Sequence, residues 1–145
     1  MTYSKSFQYF GVNLKSYRGV WSGASSDGKM VVVALWDDLL HNNDGIISYD
    51  DTDRLNGSAS RGAALRLEHL NYAQETGAIV KIVRVFAKDT NARPRAIARS
   101  CPETKDTLRI TKINQYTGAF RGECVPADKV SNEANKAKNF SECVC

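Results

Sequence analysis

No apolar run in the sequence is longer than the seven residues 30–36, and a helix that crosses a bilayer needs roughly 20. No membrane partner is therefore expected. The first ten residues include a lysine but lack the continuous apolar stretch and small-residue cleavage site of a secretory leader. The expected location is cytoplasmic. Internal repeats, low-complexity tracts and an interdomain linker are also missing, so residues 1–145 read as a single domain, with 139–145 as a loose tail. Glycine-rich phosphate loops, nucleophile elbows and zinc-protease helices do not occur. No catalytic residue and no cofactor is assigned, and the chain reads as non-catalytic unless distant positions assemble a site.

The four cysteines, Cys101, Cys124, Cys143 and Cys145, lack the export signal that would lead them to an oxidising compartment, so free thiols are expected. Disulfides and a metal site stay open as alternatives. The closest pair, Cys143 and Cys145, is spaced more tightly than structural zinc ligands, so no metal ligand is assigned.

What is present is an ordinary globular composition, 42% hydrophobic and 25% charged, with a net charge of +4. The charge is unevenly spread. Residues 81–99 hold six basic side chains (Lys81, Arg84, Lys88, Arg93, Arg95, Arg99) against Asp89. Residues 37–53 hold six aspartates and no lysine or arginine. Opposite fields of this kind steer ligands or hold identical subunits together.

Asp27-Gly28 lies between two strand-like runs and predicts a two-residue type I′ hairpin, since both central residues then need positive φ. Its register sets Trp21 opposite Ala34 and puts Trp21 and Trp36 on one face as diagonal neighbours. Strand 30–36 is apolar on both sides and reads as central and covered. Residues 58–76 read as a helix closed by Gly77, with Ala63, Leu67, Leu70 and Ala73 toward the core and Leu65 and Tyr72 on the opposite side. His69 reads as a boundary residue of that helix. Residues 78–87 form a second buried strand, 88–101 a basic loop, and 107–124 a hairpin turning near Tyr116-Thr117-Gly118. A last helix follows Pro126. Residues 37–56 read as a long acidic loop. The fold class is α+β: a curled, mostly antiparallel sheet or small open β-barrel of five to six strands with two to three peripheral helices.

Clustered Lys and Arg on a loop suit phosphate, and exposed indoles suit base stacking. The first functional reading is thus a nucleic-acid-binding module. In it Lys88, Arg93, Arg95 and Arg99 hold the DNA or RNA backbone, and Trp21 or Trp36 stacks a base, with Gly19 and Gly23 opening space beside them. The bland alternative treats the charges as a solvated surface and the indoles as core. A second reading is a self-associating accessory protein, a homo-oligomer built on the opposite charges and the Leu65/Tyr72 stripe. A third is a metal-dependent nuclease that uses Asp37, Asp38 and His41.

The stretch Phe10-Gly11-Val12-Asn13-Leu14-Lys15, then Trp21-Ser22-Gly23, Ser25, Asp27-Gly28-Lys29 and 31–37, resembles short bacterial proteins of mobile elements and integron gene cassettes. That resemblance covers about the first quarter of the chain and implies a cytoplasmic, often oligomeric protein, with no functional residues to carry over. The strand order and the tryptophan face are also similar to small barrel modules of the PUA, EVE and SRA type, which implies binding of RNA or modified bases.

Overall fold

A computed structural model describes residues 2–14, 20–51, 61–91 and 96–126. Its elements run α1 (Tyr3–Gln8), β1 (Ser22–Ala24), β2 (Met30–Trp36), a 3-10 turn (Asp37–Leu39), β3 (Leu40–Asn43), β4 (Ile46–Asp50), α2 (Arg61–Thr76), β5 (Ile79–Ala87), β6 (Ile97–Pro102), β7 (Asp106–Ile113) and β8 (Phe120–Pro126). The helix expected after Pro126 and the tail 139–145 lie outside the described residues.

The class is α+β, and the strands form two four-stranded sheets. One has the order β1-β2-β5-β6, with β2 and β5 parallel, and the other the order β3-β4-β8-β7, antiparallel throughout. The expectation of one curled sheet or small barrel with five to six strands is thereby corrected: the described residues hold eight strands and two helices, and the sheets do not close.

The extra strands come from segments read as loops, β6 from the basic loop 88–101 and β3 and β4 from the long acidic one. There Asp44 takes φ 54° and Gly45 φ 85°, and β3 pairs with β4 through Asn43 opposite Ile46. This is the type I′ geometry, since both central residues sit at positive φ. At Asp27-Gly28 the turn differs from the one expected. Gly28 has φ 73° but Asp27 does not, Ser25 N donates to Met30 O at 2.9 Å, and the Asp27 carboxylate accepts from Ser25 Oγ and Lys29 N. The register is nonetheless the expected one, with Ser22 opposite Val33 and Ala34 N donating to Trp21 O at 2.9 Å.

β2 is covered on both faces, as its apolar run implies. Val31, Val33 and Leu35 meet Val80, Ile82, Tyr49, Leu108, Phe120 and the helix residues Leu70 and Ala73 in the core between the sheets. Val32 and Ala34 meet Val83, Val85, Val12 and Phe7 on the other side, under α1. Each fully buried aliphatic side chain contributes about 1.5–3 kcal/mol. Thr2 caps α1 by accepting from Lys5 N, and Ser6 ties the helix to β6 through a 2.8 Å hydrogen bond with Ser100.

In α2, Ala63, Leu70 and Ala73 are buried and Gly77 ends the helix, as expected. Between them Arg66 is also buried, beside Asp51 at 3.0 Å. Tyr72, expected to face outward, is 38% exposed and donates to Gly28 O at 2.7 Å, so it fastens α2 to the first hairpin.

Candidate functional site

The indoles of Trp21 and Trp36 lie 5.5 Å apart, tilted by 49°, on the α1 side of the first sheet. Both are half-buried. Tyr3 meets Trp21 edge-on at 6.2 Å and donates to Val20 O at 2.6 Å. Gly23 opens no space beside them: a Cβ there would lie 2.5 Å from Val12 Cγ1. Gly19 lies outside the described residues.

Arg99 is exposed on β6, where it pairs in register with Phe86, and its guanidinium sits over that ring at 4.7 Å. Phe86 alternates with Val85 and Val83, which face α1, so Arg99 stands on the opposite face of the sheet from the two indoles. Lys88 is exposed just beyond β5. Arg93 and Arg95 lie outside the described residues. Among the residues described, then, the structure does not bring the basic side chains and the indoles together.

The acidic segment is answered from within the chain. Asp37 accepts from Arg84 Nε at 3.0 Å and also from its Nη2. Asp50 pairs with Arg121 at 2.8 Å and Asp51 with Arg66. The opposite charges proposed to join subunits are therefore spent at least in part on the fold. Nor do Asp37, Asp38 and His41 converge. Asp37 faces a cavity together with Leu40 and Asn42, whereas the intervening His41 is exposed on the other side of β3. Among the described residues no group of three His, Cys, Asp or Glu side chains is placed to hold a metal.

That cavity, of about 280 Å³, lies between the two sheets. Leu40, Ile47 and Ile82 form its apolar wall, with Asn42 and Cys124 beside them. Three carboxylates, Asp37, Glu103 and Asp106, and one guanidinium, Arg84, supply its charge. Sequence reasoning missed this group because its members come from β2–β3, β4, β5, β6–β7 and β8, and no local spacing links them. Arg84 is held on Asp37, lies 5.5 Å from the Phe86 ring centroid, and reaches Glu103 only at 3.8 Å. The Asp106 carboxylate has no hydrogen-bond or ion-pair partner among the described residues. Burial raises its carboxyl group above the ordinary value, the neighbouring Glu103 adds to this, and Lys105 opposes it. Burial likewise pushes the Cys124 thiol up to about 12, with Asp106 and Glu103 adding and Arg84 opposing. Cys124 is free, as expected, whereas Cys101, buried on β6, is in a disulfide, which corrects the expectation there. Cys143 and Cys145 lie outside the described residues.

A second pair also escaped the sequence reading. Ser22 Oγ lies 2.6 Å from His69 Nδ1, across 47 positions of sequence. It has the contact of a nucleophile and its base, but Ser22 is 1% exposed, so no substrate reaches its oxygen.

The chain matches no family model, no curated protein and no solved structure. Function therefore rests on the site itself.

Proposed function

We propose that this protein is a non-catalytic binding module whose ligand site is the cavity between the two sheets. The observation that carries the reading is the cavity's make-up: apolar side chains together with charged groups, of which Arg84 is fixed in place by its pair with Asp37. Such a mixture orients a small ligand, and a volume of about 280 Å³ is near the lower end of known ligand pockets. Cys124 has no nucleophilic role in this reading, because burial keeps its thiol protonated at neutral pH. Amide chemical shifts measured across a small-molecule library test this. Ligands should perturb Ile47, Ile82 and Cys124 together, and a library that moves none of them would overturn the reading.

A second reading keeps a nucleic-acid partner, at the end of β5 and β6. It is favoured by Arg99, exposed and stacked on Phe86, and by Lys88 nearby. Arginine over an aromatic ring suits an unstacked base with its phosphate. Titration with single-stranded and duplex DNA and RNA should then give affinity that falls steeply between about 50 and 200 mM salt. Absence of binding at the lower concentration removes this reading, and Trp21 and Trp36 have no part in it.

A further inference from the structure

Resting on the cavity reading, we infer that its ligand is a small organic cation: an alkylammonium or guanidinium compound whose charged end sits between Glu103 and Asp106 and whose carbon chain lies along Leu40, Ile47 and Ile82.

The argument begins with the balance of charge. Three carboxylates and one guanidinium line the cavity. Asp37 takes two of the Arg84 donors, and Glu103 reaches that guanidinium only at 3.8 Å. Arg84 cannot swing across to relieve the rest without giving up Asp37 and its contact with Phe86. Glu103 Oε2 accepts from Lys105 N, which fixes the position of the carboxylate, while the Lys105 side chain is exposed and does not line the cavity. Two carboxylates, one of them without a partner among the described residues, thus face a half-open cavity in which they are partly desolvated, and there an incoming opposite charge gains more than it would in water.

The apolar wall then decides what kind of cation fits. A hydrated metal ion gains nothing from Leu40, Ile47 and Ile82, and no three ligating side chains among the described residues are placed to strip its waters. An alkyl chain does gain, because every methylene it lays against that wall is removed from water. The neutral Cys124 thiol is a further soft, apolar neighbour. An anion of the same size would meet Glu103 and Asp106 directly and be repelled.

Three probes with the same four-carbon skeleton separate the possibilities: n-butylammonium, n-butanol and butyrate, each titrated into the full-length protein at neutral pH with amide shifts as readout. The expected result is that n-butylammonium perturbs Ile47, Ile82 and Cys124, n-butanol does so at least tenfold more weakly, and butyrate does not. Glu103→Gln and Asp106→Asn should each weaken n-butylammonium about tenfold, while Asp50→Asn, on the outer face of the second sheet, leaves it unchanged. Unaltered spectra away from the cavity show that each variant is folded. Equal binding of alcohol and amine, or unchanged amine binding in both cavity variants, overturns the cation assignment but leaves the cavity reading standing. If none of the three probes binds while a neutral or anionic library compound does, the assignment falls in the same way. Failure of every compound at those amides overturns both.

Discussion

Arg66 and Asp51 are joined at 3.0 Å with side chains only 7% and 4% exposed, an ion pair sealed between α2 and the end of β4. The same guanidinium donates to Gly118 O at 3.0 Å and lies over the Phe120 ring at 4.6 Å. The carboxylate also accepts from Phe120 N at 3.0 Å and from the Tyr49 hydroxyl at 3.4 Å. Removing one partner leaves the other charge buried and unanswered, which costs about 3–5 kcal/mol. Arg66→Met and Asp51→Leu should each lose stability on that scale in urea denaturation. The double variant should lose much less than the sum of the two, and strict additivity would show that the pair is not coupled.

His69 sets a dependence on pH. Burial holds its ring below the ordinary value, while Glu68 pulls weakly the other way. The unfolded chain therefore takes up a proton at a higher pH than the folded one. Stability is complete above the ordinary histidine pKa of about 6.5 and falls as pH drops below it, until the folded ring is protonated too. Thermal melts between neutral pH and mildly acidic pH should show this decline. In His69→Gln the part of the slope due to this ring should disappear, and an identical slope in the variant would assign the effect elsewhere.

Gly45 and Gly118 have nearly the same backbone, with φ 85° and 78°, but different surroundings. A Cβ at Gly45 meets nothing within 4 Å, whereas one at Gly118 would lie 2.9 Å from Ala63 O. Gly45→Ala should cost only the left-handed penalty of about 1–2 kcal/mol. Gly118→Ala should cost clearly more, since it also forces α2 away from the β7–β8 turn. Equal losses in chemical denaturation would show that the turn yields freely.

These positions also show what was legible in the chain. The first hairpin could be read because its register is local: Trp21 falls opposite Ala34, and the indoles meet as diagonal neighbours. The covered strand β2, the end of α2 at Gly77 and the β7–β8 hairpin were legible for the same reason. Asp27-Gly28 is expected to form a type I′ turn and Asp44-Gly45 is not, yet only the latter forms one, because the Ser25 hydroxyl and the Asp27 carboxylate build a wider loop at the former. The candidate site was illegible for a different reason. Which face of β5 packs under α1 and which meets the second sheet is settled by contacts distant in sequence, and no run of neighbouring residues encodes it. That packing leaves Arg99, in register with Phe86, away from the indoles and sets Arg84 over the cavity. Likewise the partners of Asp37, Asp50 and Asp51 lie 15 or more positions away and are chosen by the fold, so an uneven distribution of charge in sequence became paired charge in space.

The order of the second sheet bears on how the chain emerges from a ribosome. The last strand among the described residues, β8, lies in the middle of that sheet, between β4 and β7. Once residue 102 has left the ribosome, every strand of the first sheet is available to assemble, while the β3–β4 ribbon waits with one flank bare. Translation must proceed through Phe120–Pro126 before that flank is filled, and the nascent polypeptide carries an open, hydrogen-bond-hungry border until then.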